Sequence, residues 1–316
     1  MTPYEGESPG AVLPGPRDGT AEGGDAAAPY ASLHVVRAGA LTTVQDEGRP
    51  GFAHLGVGRA GALDAPSARL ANRLAGNPAG AALLETTATG CAVRPDHAVR
   101  VVVGGAPCRV TVDGRPVAWG APVRVPGGAV LDVGHAEHGL RGYVAFAGGV
   151  AVPPVLGSRA ADLLSGLGPA PLADGDVLPL GRPVRGGAPV GDAVPWAGAP
   201  GVLVLPLHLG PRHTWFTPAA LRTLTTALYR VGPQSNRIGL RTEGPPLARG
   251  RAGELPSEGM VLGAVQVPPD GRPVVFLNDH PTTGGYPVVG VVAAPALAAA
   301  AQAVPGTPVR FVRAPG

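Results

Sequence analysis

Val99-Arg100-Val101-Val102-Val103 is followed at short intervals by Arg109-Val110-Thr111-Val112, then Ala129-Val130-Leu131-Asp132-Val133, then Gly142-Tyr143-Val144-Ala145-Phe146-Ala147. Each run is short, rich in β-branched or aromatic residues, and bounded by turn-forming residues, which is how strands rather than helices read. Earlier runs at 33–37, 41–45 and 82–86 continue the pattern toward the N-terminus. A spacing of about 8–12 residues between such runs is that of a β-barrel or sandwich. The chain is therefore expected to be mainly β with a few short helices.

Working outward, one helix is expected over 64–74. Asp64 is a good N-cap, Pro66 suits the first turn, Leu70 and Leu74 lie one turn apart, and Gly76-Asn77-Pro78 ends it. Residues 1–31 hold almost no large apolar side chains and read as a disordered extension. A Gly- and Pro-rich stretch at 181–199 reads as a linker, dividing the chain into units at 32–190 and 191–316. The second unit is expected to contain strands at 202–207, 261–267, 274–277, 288–292 and 308–312. It also holds a helix at 218–228 capped by Thr217.

Composition narrows the function. The chain has 316 residues, 45% of them hydrophobic and only 4% aromatic, so its core must be built from Val, Leu and Ala. All 25 basic residues are arginine. Without lysine the chain cannot form a P-loop or a Schiff base, so any ATP chemistry must use arginine, backbone N–H groups or a partner. A net charge of +3, with no basic run, argues against nucleic acid. Cys91 and Cys108 form no disulfide framework, no secretory pattern opens the chain, and Pro295 interrupts the Ala-rich stretch at 288–304. A cytoplasmic protein with inert thiols is the expectation. His135 and His138 lack a third ligand at familiar spacing, so no metal is expected.

Three polar constellations could carry chemistry. The first runs from Asn278-Asp279-His280 through Thr282-Thr283-Gly284-Gly285-Tyr286-Pro287. It presents a carboxylate at a strand end and a turn whose exposed N–H groups can meet an oxyanion or phosphate; the bland reading is a plain β-turn. The second is Gln45-Asp46-Glu47-Gly48-Arg49 with His54 beyond. Here Asp46 and Arg49 either form an ion pair that orders a loop, or Arg49 is an anion ligand and Asp46 its orienting partner. The third is Gln234-Ser235-Asn236-Arg237, with Glu243 beyond, where Arg237 is either a carboxylate ligand or a surface residue.

Many segments, in order, resemble the allophanate hydrolase subunit 2 family, whose relatives include the C component of 5-oxoprolinase and biotin-dependent carboxyltransferase proteins. The matching motifs include Val44-Gln45-Asp46, Gly48-Arg49-Pro50-Gly51, Gly61-Ala62-Leu63-Asp64, Gly157-Ser158-Arg159, Gly232-Pro233-Gln234-Ser235, Glu243-Gly244-Pro245-Pro246, Ser257-Glu258-Gly259 and Gln266-Val267-Pro268-Pro269-Asp270-Gly271. Asp279 with Thr282-Thr283-Gly284-Gly285-Tyr286-Pro287 completes them, and the likeness covers about residues 33–313. Three departures stand out. Val288 replaces a common Lys, Ala160-Ala161 replaces Ser-Thr, and His280 replaces a usual Arg.

The resemblance implies two cyclophilin-like β-barrel halves. It implies that the chain opens 5-oxoproline to L-glutamate with ATP and its Mg ion, the nucleotide being bound by this chain, by a partner, or between them. The implied partners are the B component of 5-oxoprolinase, in close complex, and the A component, in an assembly that binds no nucleic acid or membrane. Asp279 and Glu258 would be catalytic. Arg237, Arg49, Gln266, Thr283, Gly284, Gly285 and Tyr286 would bind substrate, and Gln45, Asp46 and His54 would order the loop. Asp279→Ala would then abolish glutamate formation and leave the complex intact. Alternatives are a biotin-dependent carboxyltransferase component, with biotin carried on another chain, and a regulatory partner of a kinase-inhibitor-like B component.

Overall fold

The computed structural model describes residues 29–184, 194–253 and 255–314. The extension expected over 1–31 and the middle of the linker fall largely outside them. The chain is mainly β with short helices, as the spacing of apolar runs predicts.

The first part of the chain forms β1 (Ala31–Arg37), β2 (Thr42–Gln45), β3 (Leu83–Thr87), β4 (Ala92–Pro95), β5 (Val99–Gly105), β6 (Cys108–Val112), β7 (Arg115–Pro116), β8 (Pro122–Val125), β9 (Leu131–Ala136), β10 (Arg141–Phe146) and β11 (Val177–Leu180). They make two sheets, ordered β11-β1-β4-β9-β6-β7 and β2-β3-β10-β5-β8. Leu33, Val93 and Leu131 from the first meet Val101, Val103, Val144 and Phe146 from the second in one apolar layer. Helix α1 (Ala65–Ala75) covers the other face of the second sheet, packing Ala71 and Leu74 against Val102, Tyr143 and Ala145. That sheet is thus buried on both sides, which explains why β10 is an unbroken buried run rather than an alternating one.

The second part forms β12 (Leu203–Leu209), helix α2 (Pro218–Thr226), β13 (Tyr229–Val231), β14 (Gly239–Glu243), β15 (Glu258–Gly259), β16 (Ala264–Gln266), β17 (Val274–Phe276), β18 (Thr283–Gly284), β19 (Val288–Val292), helix α3 (Pro295–Gln302) and β20 (Pro308–Arg313). Seven of these strands close a barrel in the order β12-β19-β16-β17-β14-β13-β20. The parallel β12–β20 pair, from Leu203 opposite Val309 to Leu207 opposite Arg313, makes the closing seam. Tyr229 and Phe311 meet edge to face inside, their centroids 5.7 Å apart. β15 and β18 form a separate two-stranded ribbon.

Local chemistry accounts for the helices. Asp64 caps α1 through Ser67 N, and Gly76, left-handed at φ 81°, ends it. Thr217 caps α2 by accepting from Ala220 N. Pro295, read as arguing against a membrane span, is the first residue of the short helix α3, where proline's missing N–H costs nothing. One expectation needs correcting. The strand expected over 261–267 is only β16, because a turn at Gly263, φ 81°, precedes it. Short strands with proline or exposed arginine, such as β4 and β8, escaped the run-based reading. The unit boundary expected at 190/191 lies in undescribed residues. Beyond it, Val194 and Trp196 still pack against the first part, Trp196 lying over Trp119.

The two parts meet along a buried seam. Leu63, from the loop before α1, sits in the apolar core of the barrel among Leu205, Leu240 and Val265. Among the described residues no helix is long and apolar enough to cross a membrane.

Candidate functional site

Arg237 lies in the turn before β14 and is 1% exposed. Its guanidinium grips Asp279 through two hydrogen bonds of 2.9 Å, Nε to Oδ2 and Nη2 to Oδ1. It also pairs with Glu85 of β3 and donates to the Gly61 carbonyl at 2.8 Å. Gly61 has φ 95°, and a Cβ there would lie 2.9 Å from Glu47 backbone, so only glycine lets this carbonyl face the arginine.

Around this pair a polar network joins the two parts of the chain. Glu85 accepts from Tyr143 Oη and from Leu63 N. Tyr143 Oη accepts from Asp64 N. Asn278 donates to the carbonyls of Gly61 and Ala62, Leu163 N donates to Asp279, and Gln302 of α3 donates to Asp64 and to the Arg141 carbonyl. Burial alone would lower the Arg237 pKa, but Glu85 and Asp279 together hold it far above the ordinary arginine value. Burial raises the Asp279 carboxyl above its usual range despite Arg237, and it pushes the Tyr143 phenol well up.

This geometry changes the roles expected of two residues. The carboxylates that Arg237 holds belong to the protein, which leaves it little to offer a substrate. Asp279 is fully buried, engaged by Arg237 and Leu163, and positions the turn that follows it. Sequence reasoning passed over Glu85, Tyr143, Asp64 as a junction residue, and Gln302. The available signal was a lone charge inside a short strand-like run, since Glu85 stands in Leu-Leu-Glu-Thr-Thr.

Of the two readings of the second constellation, the Asp46–Arg49 ion pair does not form in the structure described. Asp46 instead accepts from Gly48 N, Ser158 Oγ and Arg159 N. Arg49, 1% exposed, turns the other way and donates to the carbonyls of Val155 and Ala160. Gln45 donates to Thr43 and to the Ala161 carbonyl. The loop at 155–161 is thus laced to Gln45, Asp46 and Arg49 through its backbone. Exposed His54 hydrogen-bonds with the Gly51 carbonyl at 3.0 Å.

The third group gathers around the ribbon. Glu258 and Gly259 of β15 pair with Gly284 and Thr283 of β18. Glu258 is held by Arg212 at 2.9 and 3.1 Å, and that hydrogen bonding keeps its carboxyl below the usual range. Gln266 donates to the Tyr286 carbonyl at 3.3 Å, and Arg249 lies 6.0 Å above the Tyr286 ring. A Cβ on Gly284 would come 2.7 Å from Gln266 Nε2, so glycine there lets the amide approach the ribbon. Thr283 and Tyr286 are exposed, Gly284 and Gly285 half-buried. Val288 packs on Met260, Ala264, Val274 and Phe276, so an apolar contact follows directly on the Gly-Gly-Tyr-Pro turn. The structure therefore brings Glu258, Gln266, Thr283, Gly284, Gly285 and Tyr286 together, with Asp279 and Arg237 behind them in the seam and Arg49, Asp46 and His54 on a different loop.

Burial pushes the Cys91 thiol up to about 12 and the Cys108 thiol to about 11, so neither is a nucleophile at neutral pH.

A model of the "carboxyltransferase domain, subdomain A and B" matches residues 55–313. The chain belongs to the carboxyltransferase-domain family. Among curated relatives of this carboxyltransferase-domain chain, the C component of 5-oxoprolinase from Escherichia coli (strain K12) is 37% identical over 284 residues, covering 89% of this chain and 91% of that protein. Urea amidolyase of Lachancea kluyveri is 31% identical over 307 residues, covering 89% of this chain but only 17% of the relative. Among solved structures, TTHA0988 superposes with a TM-score of 0.80 at 39% identity, covering 90% of this chain and 57% of that one. The K. lactis urea amidolyase does so at 0.82 and 28%, covering 90% of this chain and 19% of that one.

Proposed function

We propose that this carboxyltransferase-domain chain acts as the C component of an ATP-dependent 5-oxoprolinase, opening 5-oxoproline to L-glutamate together with the A and B components. The observation that carries this reading is the likeness to the E. coli 5-oxoprolinase C component, which extends over 91% of that protein. The urea amidolyases match over only 16–17% of their length.

The chemistry is consistent with such a division of labour. A lactam is a poor electrophile, and phosphorylating its carbonyl oxygen makes it a good one. The reacting amide needs donors aimed at its oxygen and shielding from bulk water. The ribbon offers exposed Thr283, the half-buried Gly284–Gly285 backbone and the Gln266 amide beside them. With no lysine in the chain, the phosphates of Mg-ATP would be met by arginine, by backbone N–H groups or by a partner. In this reading Glu258, Gln266, Thr283, Gly284, Gly285 and Tyr286 face substrate, and Asp279 and Arg237 position that surface.

Reconstitution decides the matter. The purified chain with the A and B components, Mg-ATP and 5-oxoproline should release glutamate, and omitting the chain should abolish release. Gln266→Leu should lower kcat while leaving assembly of the complex unchanged. Tight association of the components without any turnover would overturn the proposal in favour of a regulatory partner. The matching family model and the urea amidolyase likeness favour one second reading, a carboxyltransferase acting with biotin on another chain. Activity that is blocked by avidin would select it.

A further inference from the structure

Residues 232–234, 241–243 and 268–272 border a cleft of about 270 Å³ on the barrel, separate from the ribbon. Three of the motifs meet there, and none of them takes part in the seam or the ribbon through its charged side chains. The cleft is lined by two guanidiniums, Arg241 and Arg272, and by two carboxylates, Glu243 and Asp270, with the Gln234 amide beside them. Among the described residues, none of the four charged side chains is ion-paired to a protein group. Asp270 Oδ1 accepts from the Arg272 backbone N at 3.1 Å, which fixes the turn and leaves the Arg272 side chain uncommitted. Buried Thr242 and Val274 lie on the flanking strands, so the charged groups stand on a rigid base.

Opposite charges that face one cleft without neutralising each other are the complement of a ligand carrying both signs. A simple anion would meet two repelling carboxylates, and a simple cation would meet two guanidiniums. An apolar ligand would strip water from four charges without return. We infer that this cleft binds a small zwitterionic amino acid, and in particular L-glutamate, the product of the proposed reaction. The zwitterion class follows from the cleft alone, and the choice of glutamate rests on the proposed function. Two guanidiniums suit its two carboxylates, planar forks that can grip carboxylate edges bidentately, and Glu243 with Asp270 suits its ammonium. A product held outside the ribbon would report glutamate level back to the complex.

Calorimetric titration of the intact chain tests the inference. L-Glutamate should bind, and glutarate, which lacks only the ammonium, should bind about tenfold more weakly, the worth of one charge-assisted contact. Glu243→Gln should erase that preference. Arg272→Gln should weaken both ligands about tenfold with Tm unchanged, because the side chain is exposed. Absence of glutamate binding, or binding indifferent to both substitutions, would overturn the site even where the reconstituted complex still turns over 5-oxoproline. Conversely, a complex with no turnover but a chain that still prefers glutamate to glutarate would sink the proposed reaction and leave the amino-acid site standing.

Discussion

Arg237 carries a permanent charge out of water between Glu85 and Asp279, with Arg141 also buried nearby. Such a group is tolerable only while its partners stay in place. Arg237→Met would leave two buried carboxylates facing each other, and removing one partner of a buried pair costs about 3–5 kcal/mol. Asp279→Asn keeps an acceptor for the guanidinium and should cost clearly less. Urea unfolding of both variants checks the order, and equal losses would show that the network is not held by charge. The same comparison carries a pH signature. Burial places the folded Asp279 pKa above its unfolded value, so its contribution to stability is full below the unfolded pKa and is lost as pH rises through the folded one. Asp279→Asn should remove that decline. The expectation that Asp279→Ala stops turnover while sparing structure is replaced by one in which the fold itself weakens.

At the scale of elements, the two capped helices differ in what their caps reach. Thr217 serves α2 alone, through Ala220 N. Asp64 accepts from Ser67 N, from Ser67 Oγ and from Gln302 Nε2 of α3. Thr217→Ala should therefore cost about 1 kcal/mol, an ordinary cap. Asp64→Ala should cost more, and a double-mutant cycle with Gln302→Ala should show coupling of about 0.5–3 kcal/mol between residues far apart in sequence. A coupling of zero would mean the α1–α3 contact carries no energy. Both caps were legible because an N-cap is a local signal of one residue against its next turn. The Gln302 contact was not, because nothing in an Ala-rich run says which distant carboxylate one amide will meet. The strongest β runs were legible for the same local reason. β4, β8 and β14 were not, because exposed arginine or proline breaks their alternation and only neighbouring strands make them strands.

Across the whole molecule, the grouping of residues at the candidate site was legible in part. The turn after β17 was identified from its glycines and carboxylate, and the grouping of Glu258 with Gly284 needed only that two motifs share one ribbon. The seam was not legible, because pairing Glu85 with Arg237 spans 152 residues and depends on how the two parts dock. That docking makes a prediction of its own. Leu63 is 5% exposed in the core of a barrel built by the other part of the chain. Leu63→Ala should cost about 2–5 kcal/mol. In the unaltered protein, Trp119 and Trp196 on one side and Trp215 on the other should report one coincident urea transition. Two separated transitions would show that the parts are stable independently.

The placement of Leu63 also bears on how such a gene could be divided. A break between β11 and β12 would yield two polypeptides, one with a leucine that has nowhere to hide and the other with a hole of matching shape. Neither fragment would be at ease by itself. Expressed together, they carry the means of finding each other, which makes that break a natural point for building a complementation reporter from this chain.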